Sequence, residues 1–219
     1  MIIIHYRTMK KYIVELIGTF FLVLTVGTCV VNPSAGVIAP IAIGSVLMVM
    51  VYAGGHISGA HYNPAVTVAV ALRGRLPAGD VPGYFIAQIL GASLAAGAVY
   101  YLKGANRLVD AGGAIYGIGQ IALAEFLFTF ALAYVVLNVA TAKANAGNSF
   151  YGLAIGFTVA AGAFAVGAIS GGAFNPAVAT GCLIIGLIPA GNFLVYIAVQ
   201  LAAGALAALV FKVLNPEDK

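Results

Sequence analysis

The hydrophobic positions of this chain form long unbroken blocks joined by short polar stretches. That is neither the one-sided pattern of a surface helix nor the alternation of a half-buried strand. The blocks fall at 11–31, 37–55, 82–103, 117–141, 150–169 and 191–213. Each is close to the ~20 residues that a helix needs to cross a bilayer, so six transmembrane helices are predicted. Two further apolar pieces, 63–72 and 175–188, are too short to cross. Both open on an Asn-Pro pair. Asparagine is a good helix N-cap, and proline suits the first helical turn because its missing N–H would be unpaired there anyway. Each piece therefore reads as a half-helix that starts abruptly after a Gly-rich extended stretch. The expected fold is an all-α membrane protein with six spans and two re-entrant half-helices.

Composition agrees. Of 219 residues, 63% are apolar and 7% charged, whereas soluble domains carry about 25% charged residues. That is too little charge for a soluble surface and too much apolar area for a disordered chain. Between Lys143 and Lys212 lie 68 consecutive residues without a formal charge. In a six-span layout Arg7, Lys10, Lys11, Arg73, Arg75, Lys143, Lys212 and Lys219 fall on one side, and only Lys103 and Arg107 on the other. The positive-inside rule then places both termini in the cytoplasm, and the cell membrane is the expected location. The net charge of +4 comes from these flanks; no basic patch with interleaved aromatics points to nucleic acid. The basic N-terminus could pass for a secretory signal, but its apolar run continues for about 20 residues without a small-residue cleavage site and reads as a retained first span. Cys29 and Cys182 sit in separate blocks without CxxC or metal spacing and are expected to be small buried hydrophobes. The tail from Asn215 to Lys219 is too short to form a domain.

The chain is also duplicated. Ile57-Ser58-Gly59-Ala60-His61-Tyr62-Asn63-Pro64-Ala65-Val66 matches Ile169-Ser170-Gly171-Gly172-Ala173-Phe174-Asn175-Pro176-Ala177-Val178 at seven of ten positions, offset by 112 residues. Glu15, Thr19 and Phe20 recur as Glu125, Thr129 and Phe130, offset by 110. Tyr84 to Gln88, followed by Gly91 and Ala92, is echoed by Tyr196 to Gln200, followed by Ala203 and Gly204. A single domain over 1–219 thus holds one repeat at about 9–103 and another at about 117–213. Each repeat has three spans, an odd number, so the second copy enters from the opposite face and the two half-helices meet near the midplane. Inverted repeats with interrupted helices are a transport architecture. Non-helical backbone at that depth survives only where protein buries it or where it lines a polar cavity. Small residues in the third span (Gly91, Ala92, Ala95, Ala96, Gly97) and in the sixth (Ala202, Ala203, Gly204, Ala207, Ala208) are expected to let helices approach closely, as in ordinary membrane packing.

Two Asn-Pro-Ala boxes inside an inverted three-span repeat, each repeat opening with a membrane glutamate, resemble the aquaporin (major intrinsic protein) family over residues 9–213. The run from Gly55 to Val66 is close to verbatim for it. The resemblance implies that Asn63, Pro64 and Ala65, with Asn175, Pro176 and Ala177, face a pore at the half-helix N-termini. There each helix dipole is worth about half a positive charge and repels cations. Carbonyls of Gly59, Ala60, His61, Tyr62, Gly171, Gly172, Ala173 and Phe174 would replace lost hydration. Intramembrane acids are functional candidates by default. Glu15 and Glu125 are either proton-coupling groups of a transporter or, as the family implies and their symmetric placement favours, anchors of the re-entrant loops. His56 and His61 are a metal pair by residue type only, since nothing supplies further ligands. Loop packing and pore lining are expected of them, with no metal, cofactor or catalytic residue.

The filter departs from the water-channel pattern. Where the family usually has Arg after the second box, Val178 stands. Counting from the boxes gives Ile43, Ala163 and Gly172 as its neighbours, a wide apolar filter of the kind found in plant vacuolar members. Such members pass ammonia, urea or hydrogen peroxide besides water. Glycerol facilitators carry Asp where Ala179 stands here, which argues against dedicated polyol transport. The expected function is passive passage of water and small uncharged solutes through the bilayer, not catalysis, and the family resemblance implies a homotetramer. The alternatives are a glycerol facilitator, a carboxylate-coupled secondary transporter, or a poorly conducting structural membrane protein.

Overall fold

The computed structural model describes residues 2–31, 35–104 and 116–218; Arg107 and Lys219, counted above for orientation, lie outside them. The helices are α1 (Ile2–Val30), α2 (Ala39–Ser58), the short α3 (Pro64–Leu72), α4 (Val81–Lys103), α5 (Ile118–Val136), α6 (Tyr151–Ser170), the short α7 (Pro176–Ile185) and α8 (Phe193–Leu214). A π-helical turn, Leu137–Thr141, closes α5. Six of these segments are long and apolar enough to cross a membrane: Met9–Val30, Gly36–Ser58, Ala78–Lys103, Ile118–Thr141, Tyr151–Ser170 and Ala190–Leu214.

The breaks are built in. α2 and α6 stop at Gly59 (φ 86°) and Gly171 (φ 83°), both left-handed, where a side chain would be strained. α3 and α7 restart at Asn63 and Asn175, both extended, with proline first in the helix. α7 ends at Ile185, three residues before the expected 188, because Gly186 turns left-handed (φ 87°) and closes the helix.

The repeats pack alike. α1 lies against α4 in the first repeat and α5 against α8 in the second, while α2 meets α6 across the pseudo-two-fold axis. At that crossing Gly44 and Gly156, equivalent residues of the two repeats, face each other. A Cβ on Gly44 would stand 2.6 Å from the Gly156 carbonyl oxygen, and one on Gly156 would stand 2.3 Å from that of Gly44. Each half-helix leans on the last span of the other repeat, α3 on α8 and α7 on α4. Gly204 lets α8 come so near α3 that a Cβ there would sit 2.3 Å from the Ala65 oxygen. Of the small residues expected to mediate packing, Gly97 and Ala202 do not, because both are exposed on the outer helix surface. The chain termini share one face: Lys11 pairs with Asp80 at 3.1 Å, and Arg73, just past α3, pairs with Asp218.

Candidate functional site

Each re-entrant loop is held by a buried glutamate. Glu15 Oε1 accepts from Ser58 Oγ (2.7 Å) and the His61 N–H (2.9 Å), and Oε2 accepts from the Tyr62 N–H (2.6 Å) and Gln88 Nε2 (2.8 Å). Glu125 repeats the set with Ser170 Oγ (2.6 Å), the Ala173 N–H (3.0 Å), the Phe174 N–H (2.7 Å) and Gln200 Nε2 (2.7 Å). Both carboxylates are 0% exposed. Four donors on two oxygens match what a carboxylate can accept. Tyr84 and Tyr196 complete the clamps by donating to the carbonyls of Ser58 and Ser170. Sequence reasoning did not assign Ser58, Ser170, Tyr84, Tyr196, Gln88 and Gln200 to these clamps. The signal was their recurrence at one offset beside the two glutamates.

The clamps hold a backbone that would otherwise relax. Ala60, Tyr62 and Phe174 all have φ near +50°, a conformation that costs L-residues roughly 1–2 kcal/mol each. Glycines make room for the two rings: a Cβ on Gly18 would meet the Tyr62 ring at 2.1 Å, and one on Gly162 would meet the Phe174 ring at 2.7 Å. The strained loops present Tyr62 O and Phe174 O to the opposite repeat. Asn63 Nδ2 donates to Phe174 O (3.0 Å) and Asn175 Nδ2 to Tyr62 O (2.8 Å). Each Oδ1 meanwhile caps its own half-helix, accepting from the N–H of Ala65 and Val66 or of Ala177 and Val178. Since a side-chain amide has two N–H groups, each asparagine keeps one donor beyond the clasp. Tyr62 and Phe174 therefore offer their carbonyls to the asparagines. Among the described residues no protein donor bonds the carbonyls of Gly59, Ala60, His61, Gly171, Gly172 or Ala173.

Around this clasp lies a run of cavities with shared walls. The middle one, of about 20 Å³, is lined by sixteen residues that fall into eight repeat-related pairs, among them Leu22 with Leu132, Ile43 with Ile155, Asn63 with Asn175, and Val66 with Val178. Its size is on the scale of the ~10–15 Å³ that a single water needs. An outer cavity of about 400 Å³ shares Val26, Ile43 and Ala173 with it. Toward the terminal face, His61 and Val136 are shared with a cavity of about 220 Å³, which adjoins one of about 580 Å³ at the mouth. Of the predicted filter residues, Ile43, Gly172 and Val178 line the middle cavity and Ala163 the outer one. A Cβ on Gly172 would stand 3.5 Å from the Ala163 Cα, so the four residues come together.

The middle cavity has one marked asymmetry, His61 opposite Ala173. Thr67 Oγ donates its single proton to Asn63 O (3.0 Å) and accepts from Gln88 Nε2 (3.0 Å). With the Thr67 proton on Asn63 O, His61 Nδ1, 3.1 Å from the same oxygen, pairs with it as the N–H donor. This leaves Nε2 as an acceptor on the terminal-face side. His56 lines the mouth cavity, apart from His61, and no cluster of metal-ligating side chains occurs among the described residues. Cys182 is buried and borders the outer cavity, but Cys29 is only half-buried, contrary to expectation, because it sits in the last turn of α1.

Two capped helix ends clasped beside an uncharged, largely apolar middle cavity, inside an inverted six-span repeat, are the arrangement of a membrane channel. Comparison with known proteins identifies which kind. The chain matches the major intrinsic protein family over residues 3–167 and 151–219 and belongs to it. Aquaporin NIP1-1 of Oryza sativa subsp. japonica is 37% identical over 224 residues, covering 96% of this chain and 76% of that relative. Glycerol uptake facilitator protein-like 6 of Lactiplantibacillus plantarum is 36% identical over 217 residues, covering 96% of this chain and 100% of that relative. Among solved structures, an aquaglyceroporin from Plasmodium falciparum aligns with a TM-score of 0.76, covering 96% of each chain at 22% identity, a likeness of fold. The protein is an integral multi-pass membrane protein of the aquaporin type, a family of channels rather than enzymes.

Proposed function

We propose that this protein is a passive channel for water and small uncharged solutes such as ammonia, urea and hydrogen peroxide. The observation that carries this reading is the reciprocal clasp of Asn63 and Asn175. It leaves one amide N–H of each asparagine for a passing molecule at the point where both half-helix dipoles converge. A neutral molecule can accept there, while a cation meets two positive helix ends, each worth about half a charge. The remaining walls of the middle cavity are mostly aliphatic, so a solute passes with few hydrogen bonds to break. Ile43, Ala163, Gly172 and Val178 act as the filter in this reading. Without an Arg, they admit solutes broader than water as well as water itself. Glu15 and Glu125 act as loop anchors, supported by their full sets of donors.

A glycerol facilitator is the second reading, favoured by the outer cavity of about 400 Å³ and by the facilitator-like relative. Ala179 weighs against it. Stopped-flow light scattering on proteoliposomes, with urea, ammonia and glycerol run on one preparation, separates the two. The first reading expects ammonia and urea entry above that of empty liposomes and glycerol entry near it. Glycerol entry exceeding that of urea would replace the first reading by the second. The same proposal places both termini in the cytoplasm, the protein in the cell membrane, and four copies in each assembly with one pore apiece.

A further inference from the structure

The C-terminal tail ends in an arrangement that the permeation pathway does not explain. Asp218 Oδ1 lies 2.7 Å from Arg73 Nη2 and 3.4 Å from Arg75 Nη2, and Oδ2 accepts the Lys143 N–H at 2.8 Å. These partners come from two different connections, the one after α3 and the one before α6. Arg73 is 4% exposed. Its guanidinium stacks over Phe211 at 4.6 Å, and its Nε is sealed from solvent without a partner. A buried guanidinium is costly unless an anion faces it, and in this fold Asp218 is that anion. The Lys143 N–H above all, helped by Arg73, holds the Asp218 carboxyl below the usual aspartate range, so it is ionised at neutral pH.

We propose that Arg73, Arg75 and the Lys143 N–H form a carboxylate site that the chain fills with its own Asp218. Seated there, the tail latches the loop before α6 against the channel mouth. That loop supplies Lys143, Asn145 and Asn148 to the wall of the mouth cavity of about 580 Å³, so the seat fixes the shape of the mouth. Asn145 and Asn148 hold the far side of the loop by donating to the carbonyls of Asn138 and Val139. Ala142 is held by core burial and by the Asn145 N–H, so within this stretch it is the Lys143 N–H that depends on the tail.

Limited trypsin digestion of the full-length protein, read by mass, tests the latch at the exposed Lys143. Asp218→Asn is expected to speed cleavage after Lys143 by about tenfold, the effect of losing a hydrogen bond to a charged group. Glu217→Gln, which removes the neighbouring acid on the exposed side of the tail, is expected to leave that rate unchanged. Cleavage of Asp218→Asn at the wild-type rate would overturn the proposal. So would an equal acceleration by Glu217→Gln, since the effect would then be one of general tail charge.

Discussion

Glu125→Gln is expected to destabilise the protein by roughly 3–5 kcal/mol, because the new amide N–H₂ faces two donors that previously shared a carboxylate oxygen. Whichever way the amide turns, it opposes either the Ser170 hydroxyl and the Ala173 N–H or the Phe174 N–H and Gln200. Water cannot compensate at a carboxylate that is fully buried. The loss is large against the ~5–15 kcal/mol by which folded proteins are usually stable, and Glu15→Gln should behave alike. Thermal unfolding in detergent, followed by intrinsic fluorescence of the tyrosines, measures it. A coupled transporter predicts the opposite pattern: a Glu125→Gln protein as stable as wild type that has lost ion-driven uptake.

The second large effect concerns selectivity. Val178 is 4% exposed and borders the middle cavity beside Asn175. Val178→Arg would push a long cationic side chain toward Gly172 and Ala163, where the passage opens outward. Urea and ammonia entry should fall at least about tenfold, within the range that steric discrimination in a tight site achieves, and water should fall less. In this reading water crosses the narrow middle cavity in single file, and a guanidinium still offers it hydrogen-bond donors. Stopped-flow assays of variant and wild type, matched for protein content, measure the ratio. Equal losses for all solutes would mean that the constriction lies elsewhere than Val178.

Much of this was legible in the sequence because the governing signals are local. Run length marked the six spans, and the Asn-Pro pairs marked the starts of α3 and α7 to the residue. The inverted repeat told which positions should meet, and the lining of the middle cavity obeys it pair by pair. What escaped were side-chain hydrogen bonds to groups far away in the chain. Gln88 reaches back 73 residues to Glu15, and Asn63 crosses 111 residues to Phe174. Periodicity cannot assign such partners, although the duplication of Ser58, Tyr84 and Gln88 hinted at a shared task. The end of α7 was misplaced because apolar residues continue past Gly186, whose left-handed backbone stops the helix regardless. Asp218 was invisible for another reason. A five-residue polar tail has no pattern to read, and its partners Arg73, Arg75 and the Lys143 N–H lie far away in the chain.

Permeation requires a continuous conduit through the point where Asn63 and Asn175 clasp. Osmotic shrinkage of proteoliposomes after a rapid step in an impermeant osmolyte measures that conduit most directly. A water permeability clearly above that of empty liposomes of the same size and lipid composition is the expected result. Shrinkage at the rate of the empty liposomes, from correctly folded protein, would contradict it.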